Sequence, residues 1–365
     1  MRNILIFIGR EFCINEAFVE YVKRECLKNL NTIDAVEYLG DKDKNLILKI
    51  SSAIREYTNI LIVASPQSYP TASRIVATLL GDNLIAQEDM LVLSQASKIE
   101  PNSFLIENGM NAINIIQAQV GQKLPKILLS PQLKSAGIFL FDMGDIQKEE
   151  IIQQLSPLAK SYEVELVVTQ VTHELHHALV FNKKFGDLAM FVHNAKLLLP
   201  QNLIVARNLF EYLIERFGAL GKKLTFAESC TGGLLASMLT KVPGSSTIFP
   251  GSLVTYSNEI KQAWLGVQKE TLQTFGAVSE ETVEEMLTGA LKISQADYAI
   301  AISGIAGPGG ATPTKPIGTV VVGAKGKKEE IIRTLFFEGD RNYIQYQAAM
   351  YGVKTLFEIA QEELF

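Results

Sequence analysis

Histidine is scarce in this 365-residue chain and absent after His193; the four are His173, His176, His177 and His193. No thiol or hydroxyl in the last part of the chain can therefore be activated by an imidazole from the same region. Cysteine is as sparse. Cys13, Cys26 and Cys230 are widely spaced and odd in number, which argues against a disulfide frame and against zinc spacing, and for reduced thiols in a cytoplasmic protein. An excess of cation is also missing, since the net charge is -5 and no basic run occurs, so nucleic acid is not an expected partner. No apolar run is long enough to span a bilayer. The opening "MRNILIFIGR" is interrupted by Arg10 too early for a signal peptide, so neither membrane nor secretion is expected.

What the chain has is apolar residue, 47% of the total, enough for two or three cores at this length. The pattern alternates. "NILIFIG", "DAVEYLG" and "NILIVASP" read as buried strands, and "NEAFVEYVKRECLKNL" and "DKNLILKISSAIREY" between them as amphipathic helices. That rhythm predicts a parallel sheet covered by helices, continuing less clearly to a first boundary near residue 160. Residues 161–199 are shorter and mixed, an expected small α+β segment ending at Pro200. A second alternation fills residues 200–365. The expected fold class is α/β: two α/β domains with mainly parallel sheets joined by the small middle segment.

Three patterns carry chemistry. "HELHH" at His173–His177 satisfies H-E-x-x-H, the zinc-binding helix of metalloproteases. The segment before it is β-branched and strand-like, and Asp187 and His193 miss the spacing for a third ligand, so the expectation is no metal and polar residues on a small domain's surface. "SGIAGPGG" runs from an apolar strand into a loop bearing Gly304, Gly307, Gly309 and Gly310, whose amides suit one small anion. "AESCTGG" places Ser229, Thr231 and the amides of Gly232 and Gly233 at a strand end where a helix begins, a second anion-friendly turn. After it come Ser245 and Ser246 of "VPGSS", then Tyr256, Asn258 and Lys261 of "TYSNEIKQ". With Asn258 as the expected cap, Lys261 falls in the first helical turn, where the helix dipole disfavours its proton. A serine beside a neutral lysine is a nucleophile with its base.

"AESCTGG", "VPGSS", "YSNEIKQAWLGV", "GAVSEETVEEM", "SGIAGPGG", "KPIGTV" and "GDR" stand in the order and spacing of the CinA C-terminal domain. Residues 200–365 thus resemble the nicotinamide mononucleotide deamidase family. The resemblance implies hydrolysis of nicotinamide mononucleotide to nicotinic acid mononucleotide and ammonia, without metal or cofactor, by an expected homodimer. Carried over residue by residue, it implies Ser246 as nucleophile and Lys261 as base, with Ser229, Tyr256 and Ser303 positioning substrate or dyad. Arg341 of "GDR" becomes the candidate phosphate partner, with Thr231 and the glycines lining the site. Ser303 replaces a usual threonine, Ala311 a usual glycine, and Gln345 an arginine that often follows "GDR". Cys230 becomes a neighbour of the site, not its nucleophile.

Residues 1–160 more weakly resemble the molybdopterin-binding-like domain that precedes the deamidase in CinA proteins, where a KH-like segment lies between the two. Glu11 and Asn15 are kept, but "ASPQSYPTASR" replaces the family's glycine-rich turn and paired aspartates. This domain is expected to be degenerate, a scaffold or dimerisation module that has lost the family's metal-dependent ADP-ribose pyrophosphatase activity. That activity, and a nucleotide-binding module without catalysis, are the alternatives.

Overall fold

A computed structural model describes residues 2–87, 90–130, 135–142, 148–183 and 185–365. The chain forms two compact units, residues 1–133 and 134–365. The first contains β1 (Asn3–Ile8), α1 (Arg10–Ile14), α2 (Glu16–Leu27), β2 (Ala35–Leu39), α3 (Leu46–Glu56), β3 (Asn59–Ala64) and α4 (Tyr69–Leu80). Five further strands follow: β4 (Leu84–Gln87), β5 (Met90–Leu93), β6 (Lys98–Glu100), β7 (Ser103–Glu107) and β8 (Ala112–Gln117). Its sheet runs β2-β1-β3-β8-β7-β6, with β2, β1, β3 and β8 parallel and the last two antiparallel. β1 shows why both faces are covered. Ile4, Ile6 and Ile8 enter one core with α3 and α4, while Leu5 and Phe7 enter another with α2, the period of two of a doubly buried strand.

The second unit opens with β9 (Ser135–Phe141), α5 (Lys148–Ser161), β10 (Val164–Thr172), β11 (Leu175–Asn182), α6 (Leu188–Leu198) and β12 (Leu203–Val205). These form an antiparallel sheet in the order β10-β11-β9-β12. The boundary expected near residue 160 is therefore displaced. β9 and α5 leave the first domain because β9 pairs with β11 and β12, and Ile151 and Leu155 of α5 pack on Ile138 and Leu140 of β9. The tail of the "AGIFLFDMGD" segment falls outside the described residues.

The remainder of the unit is α7 (Leu209–Leu220), β13 (Leu224–Glu228), α8 (Leu234–Thr240), β14 (Gly251–Val254), α9 (Asn258–Leu265), α10 (Lys269–Thr274) and α11 (Glu280–Ser294), then β15 (Tyr298–Gly304), β16 (Thr319–Lys325), β17 (Glu330–Phe336) and α12 (Arg341–Ile359). The sheet order is β14-β13-β15-β16-β17, parallel through β14, β13 and β15 and antiparallel beyond. It is mixed rather than mainly parallel. The large residues Phe226, Ile300 and Ile302 face α7, α8 and α12, while Ala227, Ala299 and Ala301 face α11. Small residues on that face let the helices approach. A Cβ at Gly289 of α11 would lie 2.0 Å from the Leu265 carbonyl of α9, so the two backbones touch, and this contact fixes the helix that carries Lys261.

The β10–β11 turn is welded to this domain. Phe139, Phe141 and Leu175 share the core of α7 and α12, Thr172 Oγ1 donates to the Gln347 carbonyl at 3.1 Å, and the fully buried Lys354 ammonium pairs with Glu174 and with Glu358 at 2.8 Å. Arg333 of β17 closes the network on Glu358 at 2.6 Å. Removing Lys354 leaves Glu358 its bond to Arg333 and Glu174 half-exposed to water. Lys354→Ala is therefore expected to cost about 1–3 kcal/mol, read as a lowered urea midpoint at unchanged slope.

Candidate active site

Lys261 is 1% exposed. Its Nζ lies 2.9 Å from Ser229 Oγ, 2.8 Å from the Thr255 carbonyl and 3.5 Å from the Tyr256 carbonyl. Burial pushes its pKa down to about 8 from an ordinary 10.5, because the charged form loses its hydration. The expected cap is shifted by one residue: Ser257 Oγ, not Asn258, accepts from the Ile260 amide. Desolvation, rather than the helix dipole, is thus the main cause of the depressed pKa. Once the ammonium has lost a proton, two N–H bonds remain for the two carbonyls. The lone pair is then left to face Ser229, the geometry of a base on a hydroxyl.

Ser229 is held at the end of β13, its amide donating to Ile302 of β15 at 2.9 Å. The following turn differs from the anion nest expected there. The buried Glu228 carboxylate accepts from the amides of Gly233 and Leu235 at 3.1 Å and of Ala236 at 2.9 Å, so the start of α8 already holds its anion. Gly232 donates its amide to the Ser229 carbonyl. Neither glycine amide is available to substrate. Sequence reasoning missed Glu228, whose one signal is a carboxylate at an apolar strand end before a glycine turn. Thr231 Oγ1 is buried with no hydrogen-bond partner among the described residues.

Arg341 draws the other predicted residues together. It begins α12, whose cap is Asp340 accepting from the Tyr343 amide, and it donates to the Tyr256 hydroxyl at 2.8 Å and to the Gly307 carbonyl at 2.6 Å. The glycine loop and Tyr256 are thereby fixed on either side of one guanidinium. Gly307 and Gly310 have φ of 83° and 91°, conformations that favour glycine, whereas Gly309 has open space where a Cβ would stand. Gly304 ends β15 against Val320. Ser303 is buried, with its hydroxyl donating to the Ala277 carbonyl at 2.6 Å. Gln345 donates to the Cys230 carbonyl at 2.6 Å, so it braces the turn after Ser229.

Burial pushes the Cys230 thiol up to about 12, which removes the thiolate needed for nucleophilic attack. Iodoacetamide at pH 7 is expected to label exposed Cys13 and spare Cys230 in the native chain, as peptide mapping would show. Cys230→Ser should leave turnover within about twofold.

Ser246 is not brought to Lys261 within the chain. It lies in an exposed turn, residues 245–247, at the amino end of β14, and its hydroxyl has no hydrogen-bond partner among the described residues. The Thr247 carbonyl accepts from Lys223 and the Ile248 carbonyl from the Leu224 amide, both at the start of β13, whereas Ser229 follows its end. The length of β13 between them, about 13 Å at 3.3 Å per residue, separates Ser246 from the lysine. Within one chain the hydroxyl that Lys261 Nζ contacts is that of Ser229, not that of Ser246.

The "HELHH" segment spans the β10–β11 turn, in line with its strand-like surroundings: His173 Nε2 meets the Phe336 carbonyl, Glu174 meets Lys354, and His176 Nε2 meets Asp142 at 3.2 Å. Its side chains diverge: the exposed His173 and Glu174 reach β17 and α12, while the buried His176 stays within the middle segment. In the first unit, Asp41 accepts from the hydroxyls of Ser65 and Ser68, and the Ser68 bond is the main cause that holds its carboxyl below the usual range. Among the described residues no three His, Cys, Asp or Glu side chains converge.

The fold and site define a class: a mixed α/β domain with a buried lysine clamped on a serine at the carboxyl edge of its parallel strands. Residues 206–360 match the CinA C-terminal domain, and the chain belongs to the CinA family. Over 151 residues it is 48% identical to the nicotinamide-nucleotide amidohydrolase PncC of Escherichia coli strain K12, covering 41% of this chain and 92% of that protein. The CinA-like protein of Thermotoga neapolitana is 50% identical over 135 residues, which is 37% of this chain and 33% of the relative. That of Endomicrobium trichonymphae is 36% identical over 244 residues, 63% of this chain and 55% of the relative. The matches thus span a third to about half of the length of these two CinA-like relatives.

Proposed function

We propose that this chain hydrolyses the carboxamide of nicotinamide mononucleotide, giving nicotinic acid mononucleotide and ammonia. The observation that carries this proposal is the clamp on Lys261, whose pKa of about 8 brings its neutral amine within reach and whose Nζ is aimed at the Ser229 hydroxyl, in a domain 48% identical to an enzyme named for that reaction. Ser229 Oγ attacks the carboxamide carbon while its proton passes to Lys261 Nζ. The tetrahedral intermediate then collapses, Lys261 returns the proton to the departing nitrogen, and ammonia leaves behind an ester on Ser229. Water, deprotonated by the same amine, hydrolyses the ester and frees the carboxylate. The sequence balances without an oxidant, a reductant or a cofactor.

In this reading Arg341 is the partner of the substrate phosphate, and Tyr256 and the loop of Gly307, Gly309 and Gly310, which it already contacts at two points, form the adjoining wall. Residues 135–205 serve as a KH-like support, and the cytoplasm is the compartment. The test is ammonia release from nicotinamide mononucleotide by the whole chain, with product identified by chromatography. Absence of turnover across pH 6 to 9 would reject the activity.

A further inference from the structure

We propose that Lys315 is a positioning residue of this site: by pinning the far end of the glycine loop to the turn before α11, it sets the wall formed by Gly307, Gly309 and Gly310. Its effect on substrate rests on the proposed amidohydrolase, whereas the pin stands on hydrogen bonds alone. The loop is residues 305–318, closed at its neck by the Ile305 amide on the Thr319 carbonyl at 2.8 Å and the Gly318 amide on the Ile305 carbonyl at 2.7 Å. From Ala306 to Ala311 no backbone group bonds to another backbone group among the described residues. That stretch bears the three wall glycines, so side chains must hold it.

One hold is Arg341 at the start of α12, which donates to the Gly307 carbonyl. The other is Lys315. Its ammonium donates to the Phe275 carbonyl at 2.9 Å and to the Val278 carbonyl at 2.7 Å, both on the turn between α10 and α11. Between these two, the Gly276 carbonyl accepts from Ser279 Oγ at 3.0 Å and Thr282 Oγ1 at 2.8 Å, and the Ala277 carbonyl from Ser303 Oγ. Four consecutive carbonyls thus face side-chain donors, two of them one ammonium. A solvated lysine would keep the rotamer freedom that this one gives up. Lys315 itself sits in a tight turn, its carbonyl accepting from the Thr312 amide at 2.9 Å and its amide donating to Thr312 Oγ1 at 3.0 Å. Two residues on, Ile317 carries the pin back to the wall. A Cβ at Gly307 would lie 2.8 Å from Ile317 Cγ2, so the outgoing leg of the loop rests on the incoming one. Because α12 and α11 cover opposite faces of the sheet, the loop is strapped across the carboxyl end of β15, beside the Ile302 carbonyl that accepts from the Ser229 amide. α11 also braces α9 through Gly289, so the wall and Lys261 are fixed to the same helix.

Lys315→Met in the whole chain tests the pin, since it keeps the side chain's length and removes its donors. KM for nicotinamide mononucleotide should rise about tenfold or more with kcat within about threefold. Amide exchange of residues 306–318 should quicken roughly tenfold while that of α11 and α12 changes little. Lys315→Ala should match it. Adding n-propylammonium to the alanine variant fills the carbonyl pair without tying it to the loop, and so should not restore KM. A KM within about twofold of the parent's would overturn the pin, as would a fall in kcat at constant KM, the mark of general damage. Recovery with n-propylammonium would overturn it too, by showing that the charge acts without the tether. A parent chain without turnover would reject the amidohydrolase and leave exchange to decide: quickened exchange in Lys315→Met upholds the pin, and unchanged exchange overturns it.

Discussion

Ser229→Ala and Lys261→Ala are each expected to lower kcat for ammonia release from nicotinamide mononucleotide about a thousandfold or more, with KM little changed. The hydroxyl and the amine act on the chemical step, and neither holds the substrate's phosphate or ribose in the geometry described. The double variant should be hardly worse than either single one, because the residues work as one unit. Lys261→Arg is not conservative here. A guanidinium stays protonated at any accessible pH and presents no lone pair, so this variant should be as inactive as the alanine one. Tyr256→Phe and Arg341→Ala belong to a different class, since they border the site without touching Ser229, and should raise KM more than they lower kcat. A Ser229→Ala protein with wild-type turnover would remove Ser229 as nucleophile.

The apolar rhythm made much of this legible beforehand. β1, β2, β3, β13 and β15 sit where the apolar period puts them, because their pattern is strong. The misses have a common cause in contacts made at long range. β9 looks like the last strand of the first domain until its partners β11 and β12 are known, and no local feature names them. Residues 84–107 are short strands whose pairing, not periodicity, makes them strands. "HELHH" imitates a zinc helix in one dimension only. At the site, residue types were readable and distances were not: Lys261, Ser229, Tyr256 and Arg341 do converge, whereas Ser246, close in sequence, lies beyond the length of a strand. The groups that hold Lys261 are the Thr255 and Tyr256 carbonyls, which no side-chain pattern encodes.

That clamp makes a prediction about pH that joins stability to rate. Lys261 has a pKa of about 8 in the folded chain and an ordinary lysine value near 10.4 when unfolded. Between those values the unfolded chain holds a proton that the folded one has released, so unfolding takes up a proton and stability rises with pH. Below about pH 8 both states are charged, and the folded state carries the whole cost of a buried ammonium, about 3 kcal/mol at 1.36 kcal/mol per pKa unit. Lys261→Met removes that cost while filling most of the same volume. At pH 7 it should therefore be more stable than the parent by up to about 3 kcal/mol, and the advantage should shrink as pH rises from 8 towards 10, read from urea midpoints across that range. The same protonation controls the rate. In the parent, kcat/KM should climb about tenfold per pH unit below 8 and level off above it, because only the neutral amine accepts the Ser229 proton. A destabilised Lys261→Met chain, or a rate that is flat from pH 6 to 9, would mean that Lys261 is an ordinary charged residue in the folded protein, and the base would have to be sought elsewhere.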